Sequence, residues 1–181
     1  MSSTDVPERG EVEDAYKWSL GSMFADDEAW EAAFEDVQER IAELEQYEGR
    51  VTESAETLGA VLSTRESVMR EVANVASYAR MRSDEDTTDH QYQAYRARSS
   101  SLASEASSAS SFVEPELQEL TREEIDELVD ENPDLDEYEH YFDDVMRTKE
   151  HTRSAEVEEL LADLSEVLGG GGDVYQLLTN A

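Results

Sequence analysis

Apolar residues recur every three or four positions along most of this chain, and that rhythm predicts helices. The clearest case is Trp30, Phe34, Val37, Ile41 and Leu44, with polar residues filling the gaps. Asp26 or Asp27 is placed to cap this helix, and Glu28 in its first turn suits the helix dipole. It is expected to run to about Tyr47, with Gly49 closing it. Ser54 or Thr52 starts the next helix, with Leu58, Val61 and Leu62 turned inward. A break is expected near Thr64, although Ser67 rather than Glu stands three residues on and completes no capping box. Val68, Val72, Val75 and Tyr78 or Ala79 carry the stripe to about Arg82, and the acidic run from Asp84 reads as a polar turn.

Residues 89–111 are rich in serine, a composition that often marks a flexible linker. Here Tyr92, Tyr95, Leu102, Ala106 and Ala109 are interleaved and Gly and Pro are absent, so a helix of small residues packed closely on a neighbour is predicted. Pro115 suits the first turn of a short helix. Thr121-Arg-Glu-Glu124 is a capping box leading to Ile125, Leu128 and Val129, and Asn132-Pro133 stops that helix. Leu135, Tyr138, Tyr141, Phe142, Val145 and Met146 form the next stripe. Ser154 caps another, with Val157, Leu160, Leu161, Leu164, Val167 and Leu168 inward. Gly169–Gly172 reads as a hinge, after which Asp173 caps a last turn. No period-two strand signal and no fixed repeat is present, so the expected class is all-α, an antiparallel bundle of six to eight helices. The expected organisation is a flexible tail at 1–10, a helical domain at 11–168, and at 169–181 a glycine hinge that begins a connection to a further domain.

Charge sharpens this picture. The chain has 181 residues, 46 acids against 14 bases and a formal charge of −32. Such self-repulsion strains a compact state at low salt, whereas near 1 M salt the Debye length falls to roughly 3 Å and surface charges stop sensing one another. Only Lys17 and Lys149 are lysines. An acid-rich, lysine-poor surface points to a cytosolic protein of an extreme halophile, and an archaeal source is expected. Disorder and mimicry of nucleic acid are the rival readings. The regular apolar stripes argue against the first, and the spread of acids along every helix against the second. Without a basic patch, nucleic-acid binding is excluded. Cysteine is absent, which excludes disulfides and thiolate metal sites. No apolar run approaches a membrane span and the first residues carry no basic, then apolar, leader pattern, so a cytoplasmic location and no membrane partner are expected.

Few residues suggest chemistry. The histidines are His90, His140 and His151, and none stands in His-Glu-x-x-His, the helical pair that binds zinc beside a general-base Glu. Glu137-Tyr-Glu-His140 has the spacing of a di-iron ligand pair, but such bundles need two pairs and two further carboxylates. A surface pair on an acidic helix is the preferred reading. Asp130-x-Asn132-x-Asp134 opens like a calcium loop, but Leu135 and Tyr141 stand where Gly and Glu are required. Arg147 and His151 lie one turn apart, and a cap with ion pairs to nearby acids is favoured over substrate contact. Tyr92, Tyr95, Tyr138 and Tyr141 are candidates to line a peptide channel, though aromatics at helical spacing are more often core. No catalytic, cofactor-binding or metal residue is therefore assigned.

Several short motifs, in order, resemble one family. They are Tyr16-Lys-Trp18-Ser-Leu20, Met23-Phe24 and Trp30; Gly49 after Tyr47; Ser54-Ala-Glu56 and Leu58; Tyr78, Met81 and Asp84-Glu-Asp86; Phe112 and Glu114-Pro-Glu116-Leu117; Tyr138-Glu-His140-Tyr141; Arg147-Thr-Lys149-Glu-His151-Thr152; and Glu158-Glu-Leu160-Leu161-Ala162. Together they resemble the N-terminal helical region of oligoendopeptidase F, a zinc peptidase of the thimet-oligopeptidase type. Arg153 departs from the family, which usually has Leu there. The resemblance implies an almost wholly helical fold around a deep channel. It implies a zinc ion in the parent enzyme, held outside this chain. It implies two partners, the protein's own C-terminal catalytic domain and oligopeptide substrates. On this reading the chain is a channel wall, inactive alone. The competing reading is a stand-alone acidic helical interaction module.

Overall fold

A computed structural model describes residues 11–149. The expected tail at 1–10, the stripe at 154–168, the Gly169–Gly172 hinge, the turn after Asp173 and His151 lie outside the described residues. Within them the regular structure is helical, as expected, and no strand occurs.

Three helices make the first layer: α1 (Asp27–Leu44), α2 (Ala55–Glu85) and α3 (His90–Ala109). Asp26 caps α1 by accepting from the Ala29 N–H at 2.8 Å, and Ser54 caps α2 by accepting from Thr57 at 3.1 Å. Asp89 accepts from Gln91 at the start of α3. The α1 helix proper stops at Leu44, and Glu45–Tyr47 tightens into a 3-10 turn. Gly49 follows with φ of +76°, a left-handed conformation that a Cβ would strain.

Pairings across the helices set their directions. Trp30 near the start of α1 donates to the Val75 carbonyl, while Arg40 further along reaches back to Ser67 and Glu71, so α1 and α2 are antiparallel. Glu31 meets Arg98 and Asp27 meets Gln91, so α1 and α3 are parallel. The buried stripe of α1 is the one that the apolar spacing predicts. The serine-rich segment is helical, and its buried hydroxyls are satisfied by carbonyls one turn back. Ser99 donates to Tyr95 O at 2.8 Å, and just past the helix end Ser110 donates to Ala106 O at 2.9 Å.

The expected break near Thr64 does not occur: α2 is continuous over 31 residues, about 46 Å at 1.5 Å per residue. The sequence signal there is nonetheless real. Between Leu62 and Val68 no residue of α2 is buried. Val68, Val72, Val75, Tyr78 and Ala79 belong to the core shared with α1 and α3. Ala55, Leu58, Val61 and Leu62 belong to a second core. The stripe changes partners at that point while the backbone hydrogen bonds run through. The helix also continues to Glu85, so the polar turn begins at Asp86 rather than Asp84.

The second core is completed by α4 (Val113–Glu119), α5 (Arg122–Glu131), a 3-10 turn (Pro133–Tyr138) and α6 (Glu139–Lys149). Thr121 and Glu124 form the expected capping box, and α5 stops before Asn132. Leu135 is buried as expected, but it sits on the 3-10 turn, because Pro133 after the Asn132 cap starts a tight turn and α6 begins only at Glu139. Val51 fills this core from the α1–α2 loop, which is held by one carboxylate: Glu116 accepts from Gly49 N at 2.7 Å and Val51 N at 3.0 Å. Two loop donors are thereby satisfied by a residue of the Glu114–Leu117 motif.

Candidate functional site

Local packing decides where each candidate residue goes. His90 and His140 are exposed on different parts of the fold, at the start of α3 and the start of α6. Glu137, on the 3-10 turn, is exposed as well. Among the described residues no group of three or more His, Asp or Glu side chains is arranged to hold a metal ion. Asn132 is a staple: its Oδ1 accepts from Asp134 N and its Nδ2 donates to the Ala55 carbonyl, both at 3.2 Å. A Cβ at Gly59 would come within 2.8 Å of that Nδ2, so this close approach depends on glycine. Arg147 pairs with Asp144 at 2.9 Å, one turn back on α6.

The four tyrosines divide into two pairs. Tyr95 is buried and stacks on Trp30 with ring centroids 4.0 Å apart. Tyr92 packs beside it and its hydroxyl meets Asp27 at 3.3 Å. Both serve the first core. Tyr138 and Tyr141 are half-buried at the second core, and with Leu62, Arg65 and Met69 they line an open groove of about 580 Å³ between α2 and α6. The four therefore belong to two separate cores.

Arg65 was not singled out by the sequence pattern. It lies three and four residues from Leu62, Val61 and Met69, at a position in step with the apolar stripe, and a cation in that register is the signal that marks it. Its Nη1 donates to the Tyr141 hydroxyl at 3.3 Å and its guanidinium carbon sits 5.5 Å from that ring's centre. Burial pushes the Tyr141 phenol above its ordinary pKa, while the Arg65 charge pulls it back. The Arg65 Nε is a buried donor without a hydrogen-bond partner.

The chain's scarce cations recur at such core edges. Arg98 lies 4.3 Å from the Phe34 ring centre and grips both oxygens of Glu31 at 2.7 Å, and Arg82 lies over Tyr78 and Tyr92. A planar guanidinium stacks on a ring and binds a carboxylate at once, which a lysine ammonium does less well. The hydrogen bond from Arg98 holds the Glu31 carboxyl below its ordinary pKa. Folding thus keeps Glu31 ionised to lower pH than an unfolded chain does. Its contribution is whole above the ordinary carboxylate value and fades as pH falls through the lowered one. Urea midpoints measured from pH 7 to pH 3 are expected to fall more steeply for the wild type than for Glu31→Gln; parallel curves would contradict this linkage.

Comparison with known proteins places this arrangement. A family model described as Oligopeptidase F matches residues 116–181. Group B oligopeptidase PepB of Streptococcus agalactiae is 34% identical over 173 residues, covering 96% of this chain and 29% of that protein. Oligopeptidase PepF of Bacillus subtilis is 32% identical over 179 residues, covering 99% of this chain and 27% of that protein. In three dimensions, the crystal structure of oligoendopeptidase-F from Enterococcus faecium aligns with a TM-score of 0.68 at 30% identity, over 82% of this chain and 28% of that one. The chain corresponds to the N-terminal region of oligoendopeptidase F homologues. It spans under a third of the length of these relatives, and the similarity runs nearly end to end along the chain. In this oligoendopeptidase F region α2 is the spine that two cores share, and no described helix is long and apolar enough to cross a membrane.

Proposed function

We propose that this chain is the non-catalytic helical part of a zinc oligoendopeptidase that hydrolyses short peptides in the cytoplasm, and that it forms one wall of the substrate channel. The observation that carries the proposal is the end-to-end similarity of this chain to under a third of several oligopeptidases. A helical wall above a catalytic floor excludes folded proteins and admits oligopeptides. Zinc, in this reading, is bound by residues of the parent enzyme beyond this chain, and what the chain contributes is shape. Its two cores, joined by the unbroken α2, make a rigid panel.

The test is direct. The 181-residue chain is assayed for cleavage of an internally quenched nonapeptide, with and without added zinc, and the reading frame is followed past codon 181. No cleavage by the chain, a downstream His-Glu-x-x-His, and zinc-dependent cleavage by the longer product are expected. Chelator-sensitive cleavage by the 181-residue chain would overturn the division of labour. A stop codon after Ala181, together with a stable partner complex, would establish the interaction module instead.

The parent organism is proposed to be a halophilic archaeon, on the strength of the −32 charge and the two lysines. Helical circular dichroism is then expected to rise steeply between tens of millimolar and molar KCl, because screening removes the self-repulsion. A flat titration would remove the halophilic reading and leave the peptidase reading standing.

A further inference from the structure

Three large apolar side chains stand exposed among the described residues, and two of them are two positions apart: Tyr16 at 79% and Trp18 at 58%. The segment that presents these rings is anchored. Just after it Leu20 is buried in the first core, with Met23 and Phe24 packed against that core and the Phe24 ring edge-on to Tyr78 at 5.2 Å. Ser22 N donates to the Ser19 carbonyl at 3.1 Å and Met23 N to the Leu20 carbonyl at 2.9 Å, which closes a tight turn behind Trp18. Ahead of it Tyr16 N donates to the Glu13 carbonyl at 3.0 Å. We propose that Tyr16 and Trp18 are the anchors by which this chain docks into an apolar recess on the portion of the parent enzyme that lies beyond it, an inference that rests on the peptidase reading above.

Size, charge and chemistry favour this occupant. Trp and Tyr are the side chains that most often carry the energy of an interface, and a fixed pair of them loses little entropy on docking. The chain spans under a third of its relatives, so most of the parent polypeptide remains to meet it and does so tethered, at high effective concentration. A second copy has no such tether, and at a charge of −32 it meets repulsion. An oligopeptide substrate must leave after cleavage, so it cannot keep two aromatic rings out of water between turnovers. The recess has a definite chemistry. It is apolar along its walls, and it offers oxygen acceptors to the indole N–H and the phenol O–H, which find partners when buried. Its rim is free of carboxylates, because Glu11 and Glu13 are exposed beside the rings.

Hydroxyl-radical footprinting, read by peptide mass spectrometry, compares the 181-residue chain with the longer product of the reading frame, both in molar KCl. Oxidation of Trp18 is expected to be about tenfold slower in the longer product, as exclusion of water around an interface anchor requires. Trp30, buried in the first core, is the control that stays slow in both. Equal oxidation of Trp18 in a longer product that cleaves peptides would overturn this inference alone and leave the peptidase reading standing. A stop codon after Ala181 would remove both. Protection that appears only on adding an oligopeptide would assign the rings to substrate, and protection that grows with the concentration of the 181-residue chain would assign them to a second copy; either overturns the proposal. Trp18→Ala separates anchoring from mere coverage. It is expected to leave the urea midpoint of the 181-residue chain unchanged and to lower that of the longer product, with Trp18→Phe restoring most of the loss. An unchanged midpoint in the longer product would sink the anchoring role.

Discussion

Replacing Trp30 with alanine is expected to cost about 3–5 kcal/mol, a large part of the stability of a typical domain. Trp30 is fully buried at the meeting point of α1, α2 and α3. Its ring lies flat on Tyr95, touches Phe34 and sits 5.2 Å from the Arg98 guanidinium, and its Nε1–H donates to the Val75 carbonyl at 3.0 Å. Truncation therefore removes apolar contact with all three helices and opens a cavity that helices held at both ends cannot collapse around. Trp18, at 58% exposed, is the internal control. Trp18→Ala is expected to stay within about 0.5 kcal/mol of the wild type. Urea unfolding in molar KCl, followed by circular dichroism at 222 nm, measures both. A loss below about 1 kcal/mol for Trp30→Ala would mean that this ring is not the centre of the first core.

Thr64→Pro is expected to cost about 3 kcal/mol or more, because the ring removes a helix hydrogen bond and collides with the Ala60 carbonyl one turn back. The position matters more than the residue. Thr64 stands where α2 passes from one core to the other, so a kink there misaligns Leu58, Val61 and Leu62 against Val68, Val72 and Val75. Both cores should respond, the first through Trp30 fluorescence and the second through the amide exchange of Phe142. Thr64→Ala is expected to be within about 0.5 kcal/mol of neutral, since alanine is a better helix former and the backbone bond is kept. A proline cost below about 1 kcal/mol would show that α2 has a hinge at this point after all.

These two sites also show why parts of the molecule are legible from one sequence and others are not. The stripe of α1, its Asp26 cap, the Thr121–Glu124 capping box and the stop at Asn132 depend on neighbours within a turn of helix, so spacing and residue type suffice. At Thr64 the same local rules mislead. A gap in the buried stripe looks like the end of a helix, yet it is the place where one helix exchanges partners, and only the tertiary contacts distinguish the two.

The candidate site follows the same division. Tyr138, Tyr141 and Met69 are ordinary members of apolar stripes until α2 and the Pro133–Tyr138 turn are set side by side. Glu116 is one acid among 46 until the α1–α2 loop brings two N–H groups to it. By itself, the amino-acid sequence determined the helical class, the caps, most of the buried faces, the excess of acid and the likeness to oligopeptidases. The tertiary structure alone decided which helix faces meet, that two cores share one spine, and that a groove with a partly satisfied arginine lies between α2 and α6. The reason is physical: periodicity and capping act over a few residues, whereas the choice of partner depends on contacts between residues tens of positions apart, which no local pattern encodes.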